Sequence, residues 1–364
     1  MMRDIIAERL LIRLMNWDPG KISSERSSLE IMAKYKYNTY QGFSPGMRFL
    51  ESLALWLQQF NTPEERNIAY DFFKEKLIFY SNSEMEQLVS MAFPDYIKPL
   101  LLKKAAIEIG IPEYQVSKLA KSKAFKVLLR RSLFLGLSDG ARLDIFRRSN
   151  RKDISHEQIY PLYDIPEAKA EDLKQKLEKD LRDILNETPD NDICNFKNIF
   201  LLDDFSGSGR SYLRKNDGEF EGKLFKVFKN ITSSSLSQIF DDKIFICNII
   251  YIATEESINY LTHLTKKLFE DSKYDYRLDC IQYLQNDVKV NDKLEFSKLI
   301  EEYYDPDIES NATRVGGSGN VKLGFANCGL PLVMHHNTPN NSVALLWSYD
   351  YLKTRGLFPR IPRH

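Results

Sequence analysis

Apolar positions fall at helical spacing over the first 125 residues and gather into short continuous runs after that. Ile199-Phe200-Leu201-Leu202 is one such run, flanked by Lys197-Asn198 and by Asp203-Asp204, and it has the pattern of a strand buried on both faces of a parallel sheet. Leu133 to Leu137 repeats the pattern, as does Lys243 to Ala253 between Asp242 and Thr254. These runs predict strands near 132–137, 197–203, 244–252 and 276–282, with helices near 167–186, 256–271 and 294–304. Strand and helix alternating at this interval imply right-handed crossovers and a mainly parallel sheet.

Helix caps organise the first part. Thr62-Pro63-Glu64-Glu65 joins an N-cap, a proline at the first helical position and a capping-box glutamate, and predicts a helix to about Tyr80. Ser83 with Glu86 reads as a second capping box, and Asp95 opens an amphipathic run from Tyr96 to Ile109 that Gly110 closes. Ala106, Gly110, Ile111 and Val116 have helix-turn-helix spacing, with Val116 expected to pack inward and a second helix over Glu113 to Lys121. The expected architecture is an all-helical domain over 1–125 followed by an α/β domain over 126–364.

Composition narrows the setting. Fifty-one basic residues balance 51 acidic ones in a chain of 364, so no broad field draws nucleic acid or an anionic membrane. The four cysteines lie far apart with no C-x-x-C pair, which argues against structural zinc and a disulfide framework. Asp4 and Glu8 interrupt the N-terminal apolar periodicity, and no apolar run approaches the roughly 18 residues of a membrane span, so the expected location is cytoplasmic. Charge is nevertheless uneven. A basic stretch from Lys118, Lys121 and Lys123 through Lys126, Arg130, Arg131, Arg142, Arg147, Arg148, Arg151 and Lys152 could contact phosphate backbones, or simply be a set of solvated helix faces. Glu167 to Glu187 alternates in sign and reads as a solvated helix covering the sheet.

The richest chemistry follows the run at Ile199. Asp203 and Asp204 could accept hydrogen bonds from a vicinal diol, while Gly207 and Gly209 let the backbone fold tightly enough to aim N–H groups at an anion. Ser206, Ser208 and Ser211 add hydroxyls beside Arg210, and a helix beginning near Ser208 would add its N-terminal partial charge. Two common phosphate loops do not fit. A P-loop would need glycine where Asp204 stands and lysine where Arg210 stands; the dinucleotide fingerprint would need glycine at Tyr212 and an acid after the glycines. An ordinary strand-to-helix turn with capping Ser and Asp residues is the plainer alternative.

Apolar strand, paired acids, then a small-Gly-basic-hydroxyl loop resembles the 5-phosphoribosyl 1-pyrophosphate loop of the type I phosphoribosyltransferases. The chain is closest in pattern to the phosphoribosyltransferase-like proteins of bacterial anti-phage conflict systems. The resemblance implies a phosphoribosyltransferase-type α/β fold with Asp203 and Asp204 on the ribose hydroxyls and Ser206 to Ser211 around the 5-phosphate. It further implies that Ser138, Asp139, Gly140 and Arg142, in the loop after an early strand, meet the pyrophosphate, with Mg²⁺ as cofactor. In the Asn/His-dense segment 324–342, His336 could act as general acid or base, and Asn337 and Asn340 could hydrogen-bond a base or acceptor; any long turn also uses such residues. In purine salvage enzymes an aspartate that serves the base stands where this chain has Gly207, which argues against purine transfer. Lys215 to Glu219 reads as an insertion before the next helix, a lid or a contact surface.

The function expected from these features is binding of 5-phosphoribosyl 1-pyrophosphate or a ribose-5-phosphate nucleotide, with transfer or cleavage at the anomeric carbon. The resemblance implies a defence setting, with an effector held by a partner such as a retron reverse transcriptase and its DNA. The alternative is a sensor that binds the phosphoribosyl group without turnover, or a nucleic-acid-binding regulator.

Overall fold

The computed structural model describes residues 4–43, 46–161, 167–233, 235–270, 272–308, 319–348 and 353–360. Its strands are β1 (Ile78–Tyr80), β2 (Ser132–Gly136), β3 (Ile159–Pro161), β4 (Phe196–Ser206), β5 (Arg214–Asn216), β6 (Glu219–Glu221), β7 (Phe240–Thr254), β8 (Asp275–Leu284) and β9 (Leu332–Met334). The chain forms two compact units, one from Met1–Met85 with Gln285–His364 and the other from Glu86–Leu284.

In the second unit, β3, β2, β4, β7 and β8 form a sheet in that order, every neighbouring pair parallel. This is the mixed α/β architecture the runs predict, and burial on both faces explains why the runs are continuous. Helices Glu167–Leu185 and Glu255–Phe269 match the expected ones. The two faces of β4 are distinct. Ile199 and Leu201 join a core with Leu177, Leu213 and Leu261, whereas Phe200 stacks on Phe134 at 5.4 Å between ring centroids, and Phe134 meets Phe93 and Phe146.

The first unit buries Phe49, Trp56, Phe73 and Phe358 in one core. The returning C-terminal chain is tied in by Trp56, whose Nε1 donates to the Leu345 carbonyl at 2.8 Å, and by Ser52, whose hydroxyl donates to the Leu357 carbonyl at 2.7 Å. β1 and β9 pair in parallel. The Thr62–Glu65 capping box forms as expected, but its helix, Pro63–Lys76, stops before Tyr80 because Ile78–Tyr80 leaves to pair with β9. The second capping box uses Ser81 and Glu84 in place of Ser83 and Glu86: the Ser81 N–H donates to Glu84 Oε2 at 2.7 Å and the Glu84 N–H to Ser81 Oγ at 3.3 Å.

The division expected at residue 125 coincides with neither junction of these units. Residues just before it pack on the sheet: Phe93 meets Phe134, and Lys104 Nζ donates to Asn198 Oδ1 at 3.2 Å above the Phe245 ring. Conversely, Phe296, Val343 and Phe358 belong to the core of the N-terminal helices.

Glu25 sets an acid limit on the first unit. Its carboxylate is buried and meets Lys74 at 2.6 Å, Lys21 at 3.0 Å and the Tyr70 hydroxyl at 2.8 Å. Burial pushes its pKa up, but the two ammonium groups and the phenol outweigh it and hold the carboxyl at about 2 against an ordinary 4.5. A depressed folded pKa gives stability that is present above the ordinary value and lost as pH falls through the folded one. Thermal melts should therefore lose about 3 kcal/mol between pH 5 and pH 2 through this group, and Glu25→Gln should flatten that dependence.

Candidate functional site

Strand order reverses between β2 and β4, since β3 lies outward of β2 on one side while β7 and β8 continue beyond β4 on the other. Parallel sheets bind ligands outside the carboxyl ends of their strands at such a reversal. Here those ends carry Ser138 to Arg142 after β2, the acid pair near the end of β4, and the loop from Ser206 to Ser211 that leaves β4. β4 does not stop at Asp203. It stays paired through Ser206, with Asp203 opposite Ile250 and Phe205 opposite Ile252. Consecutive residues of a strand point to opposite faces, so the two carboxylates diverge.

Asp203 lies on the face of Ile199 and Leu201 and has no exposed surface. Its Oδ1 accepts from the Ser138 hydroxyl and its Oδ2 from Lys223 Nζ at 2.6 Å. Burial raises its pKa; the Lys223 charge opposes this and the neighbouring Asp204 adds to it, leaving a net upward shift. The Lys223 ammonium also lies 5.0 Å from the centroid of the Tyr212 ring, whose own hydroxyl is pushed well up by burial and by Asp203. Sequence reasoning missed Lys223 and Tyr212. No local pattern marks them, because Lys223 reaches Asp203 only after the chain has passed through a hairpin.

Asp204 lies on the opposite face, partly exposed, with Oδ1 accepting the Phe205 N–H at 2.9 Å. Gly140 lies directly against it, so a Cβ at residue 140 would overlap the Asp204 carboxylate. The loop is held there by Tyr251, whose hydroxyl donates to the Ala141 carbonyl at 2.7 Å. Arg142 adopts φ 48° and places its Nε 3.7 Å from Asp144 Oδ1, while Asp139 faces solvent. The structure thus joins the pyrophosphate-loop candidates to both acids. Gly140→Ala should displace the Asp204 carboxylate and weaken binding of a phosphoribosyl ligand about tenfold in calorimetry, with little change in melting temperature because the carboxylate can swing away.

The loop after the acids is braced from below. Ser206 and Ser257 share a hydroxyl hydrogen bond of 2.6 Å, and Thr254, the N-cap of Glu255–Phe269, donates its hydroxyl to the Gly207 carbonyl at 2.5 Å. The Tyr212 and Leu213 N–H groups both donate to the Gly209 carbonyl, at 3.0 and 3.1 Å. Ser208 is buried and its Oγ accepts from the Arg210 N–H at 3.4 Å, whereas Arg210 and Ser211 are exposed. The Arg210 guanidinium lies 5.9 Å from the Tyr260 ring centroid.

One expectation about this loop needs correcting. No helix begins near Ser208: the insertion at Lys215 to Glu219 folds as the antiparallel hairpin β5–β6, and the next helix is Lys223–Ser233. Gly209 does take a backbone conformation that suits glycine. With φ 74°, its missing Cβ would point at Tyr260, Leu261 and Ser257, at 2.9, 3.0 and 3.2 Å, so glycine is required by backbone conformation and by contact with the helix behind.

The remaining candidates are carried by other elements of the chain. His336, Asn337 and Asn340 belong to the first unit, in the turn after β9. Much of the polar density there closes the turn itself: Asn337 Oδ1 accepts the Thr338 N–H at 3.0 Å, and the Asn340 carbonyl accepts the Phe325 N–H at 2.7 Å. Lys118, Lys121 and Lys123 are exposed, and Lys123 Nζ donates to the Leu185 carbonyl at 2.6 Å. Gly110 takes the expected left-handed C-cap and Ala106 is buried, but the second helix is only Val116–Lys121, and Val116 is 51 % exposed where inward packing was expected. The basic stretch is divided as well. Arg130 and Arg131 are buried on Asp180 and Asp241, at 2.6 and 2.7 Å.

Among the described residues, no helix is long and apolar enough to cross a membrane. Comparison with known proteins gives one family, described as PRTase-CE, whose model matches residues 53–360. No curated protein and no solved structure matches the chain.

Proposed function

The chain belongs to the PRTase-CE family, which is phosphoribosyltransferase-like, and on that footing we propose that its β2–β4 switch point binds 5-phosphoribosyl 1-pyrophosphate or a ribose-5-phosphate nucleotide. The proposed reaction is transfer or cleavage at the anomeric carbon. One observation carries the reading: at the strand-order reversal, Ser138 is hydrogen-bonded to Asp203 and Gly140 abuts Asp204, so the pyrophosphate and ribose candidates form one constellation.

In this reading Asp204 accepts hydrogen bonds from the ribose hydroxyls, and the backbone N–H groups of 207–211 surround the 5-phosphate. Negative charge grows on the departing pyrophosphate while the ribose becomes oxocarbenium-like, so the Arg142 guanidinium, together with Mg²⁺, would stabilise the leaving group. Among the described residues, no cluster of three or more His, Cys, Asp or Glu side chains could hold a metal by itself. Carboxylate is a hard oxygen donor suited to Mg²⁺, and Asp204 would supply the protein's share of a coordination sphere completed by phosphate oxygens and water. Bound in that way, Mg²⁺ would neutralise charge on the pyrophosphate.

The bare position at Gly207 favours a second reading, in which the ligand is bound and not turned over. An anti-phage setting, with a nucleic acid or a regulatory protein as partner, belongs to the same proposal and rests on the motif resemblance alone. Purified protein incubated with 5-phosphoribosyl 1-pyrophosphate, Mg²⁺ and a mixture of nucleotides or RNA separates the two readings. Pyrophosphate release above the spontaneous rate supports transfer or cleavage; saturable binding without release supports a sensor.

A further inference from the structure

Lys223 is the first residue of the helix that follows the hairpin, and its ammonium is held against a carboxylate with no exposed surface. The Lys223 side chain itself is 33 % exposed. An ammonium has three donors, and the Asp203 contact at 2.6 Å uses one. Its backbone is fixed to the phosphate-loop candidate as well, the Lys223 N–H donating to the Ser211 carbonyl at 3.2 Å and the Leu224 N–H to the Tyr212 carbonyl at 2.9 Å. Gly222 makes this approach possible. At φ 116°, a Cβ there would lie 2.5 Å from the Tyr212 carbonyl oxygen.

We propose that Lys223 binds the 5-phosphate of a phosphoribosyl ligand and that Asp203 is a positioning residue which aims it, leaving Asp204 as the acid that meets the sugar. This rests on the phosphoribosyl reading above. Three observations carry it. Both oxygens of Asp203 are already engaged, by Ser138 and Lys223, and none of its surface is open to a ligand. Asp204 points the other way and is partly exposed. The helix whose N-terminal charge would have served the loop at Ser208 begins instead at Lys223, whose backbone N–H is tied to the loop's last residue, so that its ammonium adds a second positive group to the exposed Arg210 of the loop itself. An ion pair with a buried partner fixes such a cation in place and lowers the ordering cost of using it.

The test is calorimetry with ribose 5-phosphate and with 5-phosphoribosyl 1-pyrophosphate. Lys223→Met should weaken both about 30-fold, because each carries the 5-phosphate, and Lys223→Arg should recover most of the loss. Since removing the lysine leaves Asp203 uncompensated, the double variant Lys223→Met with Asp203→Asn is measured alongside; it removes both charges and should show the same weakening. A second measurement uses the wild-type chain. Saturating ribose 5-phosphate should protect Lys223, and not Lys118, from reductive methylation read by peptide mass spectrometry. Wild-type affinity in either Met variant, a loss confined to the pyrophosphate-bearing ligand, or unchanged labelling of Lys223 overturns the assignment. Failure of the wild-type chain to bind either compound overturns the phosphoribosyl reading beneath it.

Discussion

Asp204→Ala is expected to weaken phosphoribosyl binding about 100-fold, the loss of two charge-assisted hydrogen bonds, while leaving the melting temperature close to wild type. The side chain is partly exposed and its Oδ1 accepts the N–H of the adjacent Phe205, so truncating it opens no hole in the core. The other acid should behave differently. Asp203→Ala removes the acceptor for both Ser138 and Lys223 and opens a hole beside Tyr212, and should cost about 2 kcal/mol of stability along with binding. Asp203→Asn keeps the shape and should lie between the two. Calorimetry paired with thermal melts on the three variants checks this. Equal behaviour of Asp203→Ala and Asp204→Ala would mean that the pair acts as one ligand-binding unit after all.

Gly209→Val is the second large effect. Two costs combine: a β-branched residue forced to φ 74°, and a side chain driven to within 2.9–3.2 Å of Tyr260, Leu261 and Ser257. Together they should destabilise the second unit by about 3 kcal/mol and abolish ligand binding, because the loop must lift off helix Glu255–Phe269. The damage therefore reaches the ligand through the fold. Normal stability with lost binding would place the new side chain in ligand space instead.

The central sheet was legible because strands buried on both faces read as near-continuous apolar runs, as Ile199 to Leu202 does, and Ile244 to Ile252 with Asn248 as its one polar residue. β3 was not, since its three residues are too few to show a period. The acid pair and the loop after it could be read locally. Their geometry could not: β4 continues past Asp203 because Ile250 to Ala253 of β7 keep pairing with it, a fact held in a distant segment. Adjacency in sequence suggested two acids on one ligand, whereas the strand turns them apart. Lys223 was invisible for the same reason, brought to Asp203 by a hairpin and by the turn at Gly222 that follows it. The residues after 285 carry short apolar runs around Leu332 and Val343, and nothing in their pattern shows that they complete the core of the N-terminal helices.

The central claim is that the β2–β4 switch point is a phosphoribosyl site in which Asp204 meets the sugar. Titration of 5-phosphoribosyl 1-pyrophosphate with Mg²⁺ into the wild-type chain and into Asp204→Ala tests it most directly. Saturable binding at one site per chain in the wild type, weakened about 100-fold in the variant, is the predicted result. Absence of binding in the wild type, or equal affinity in both proteins, would contradict it.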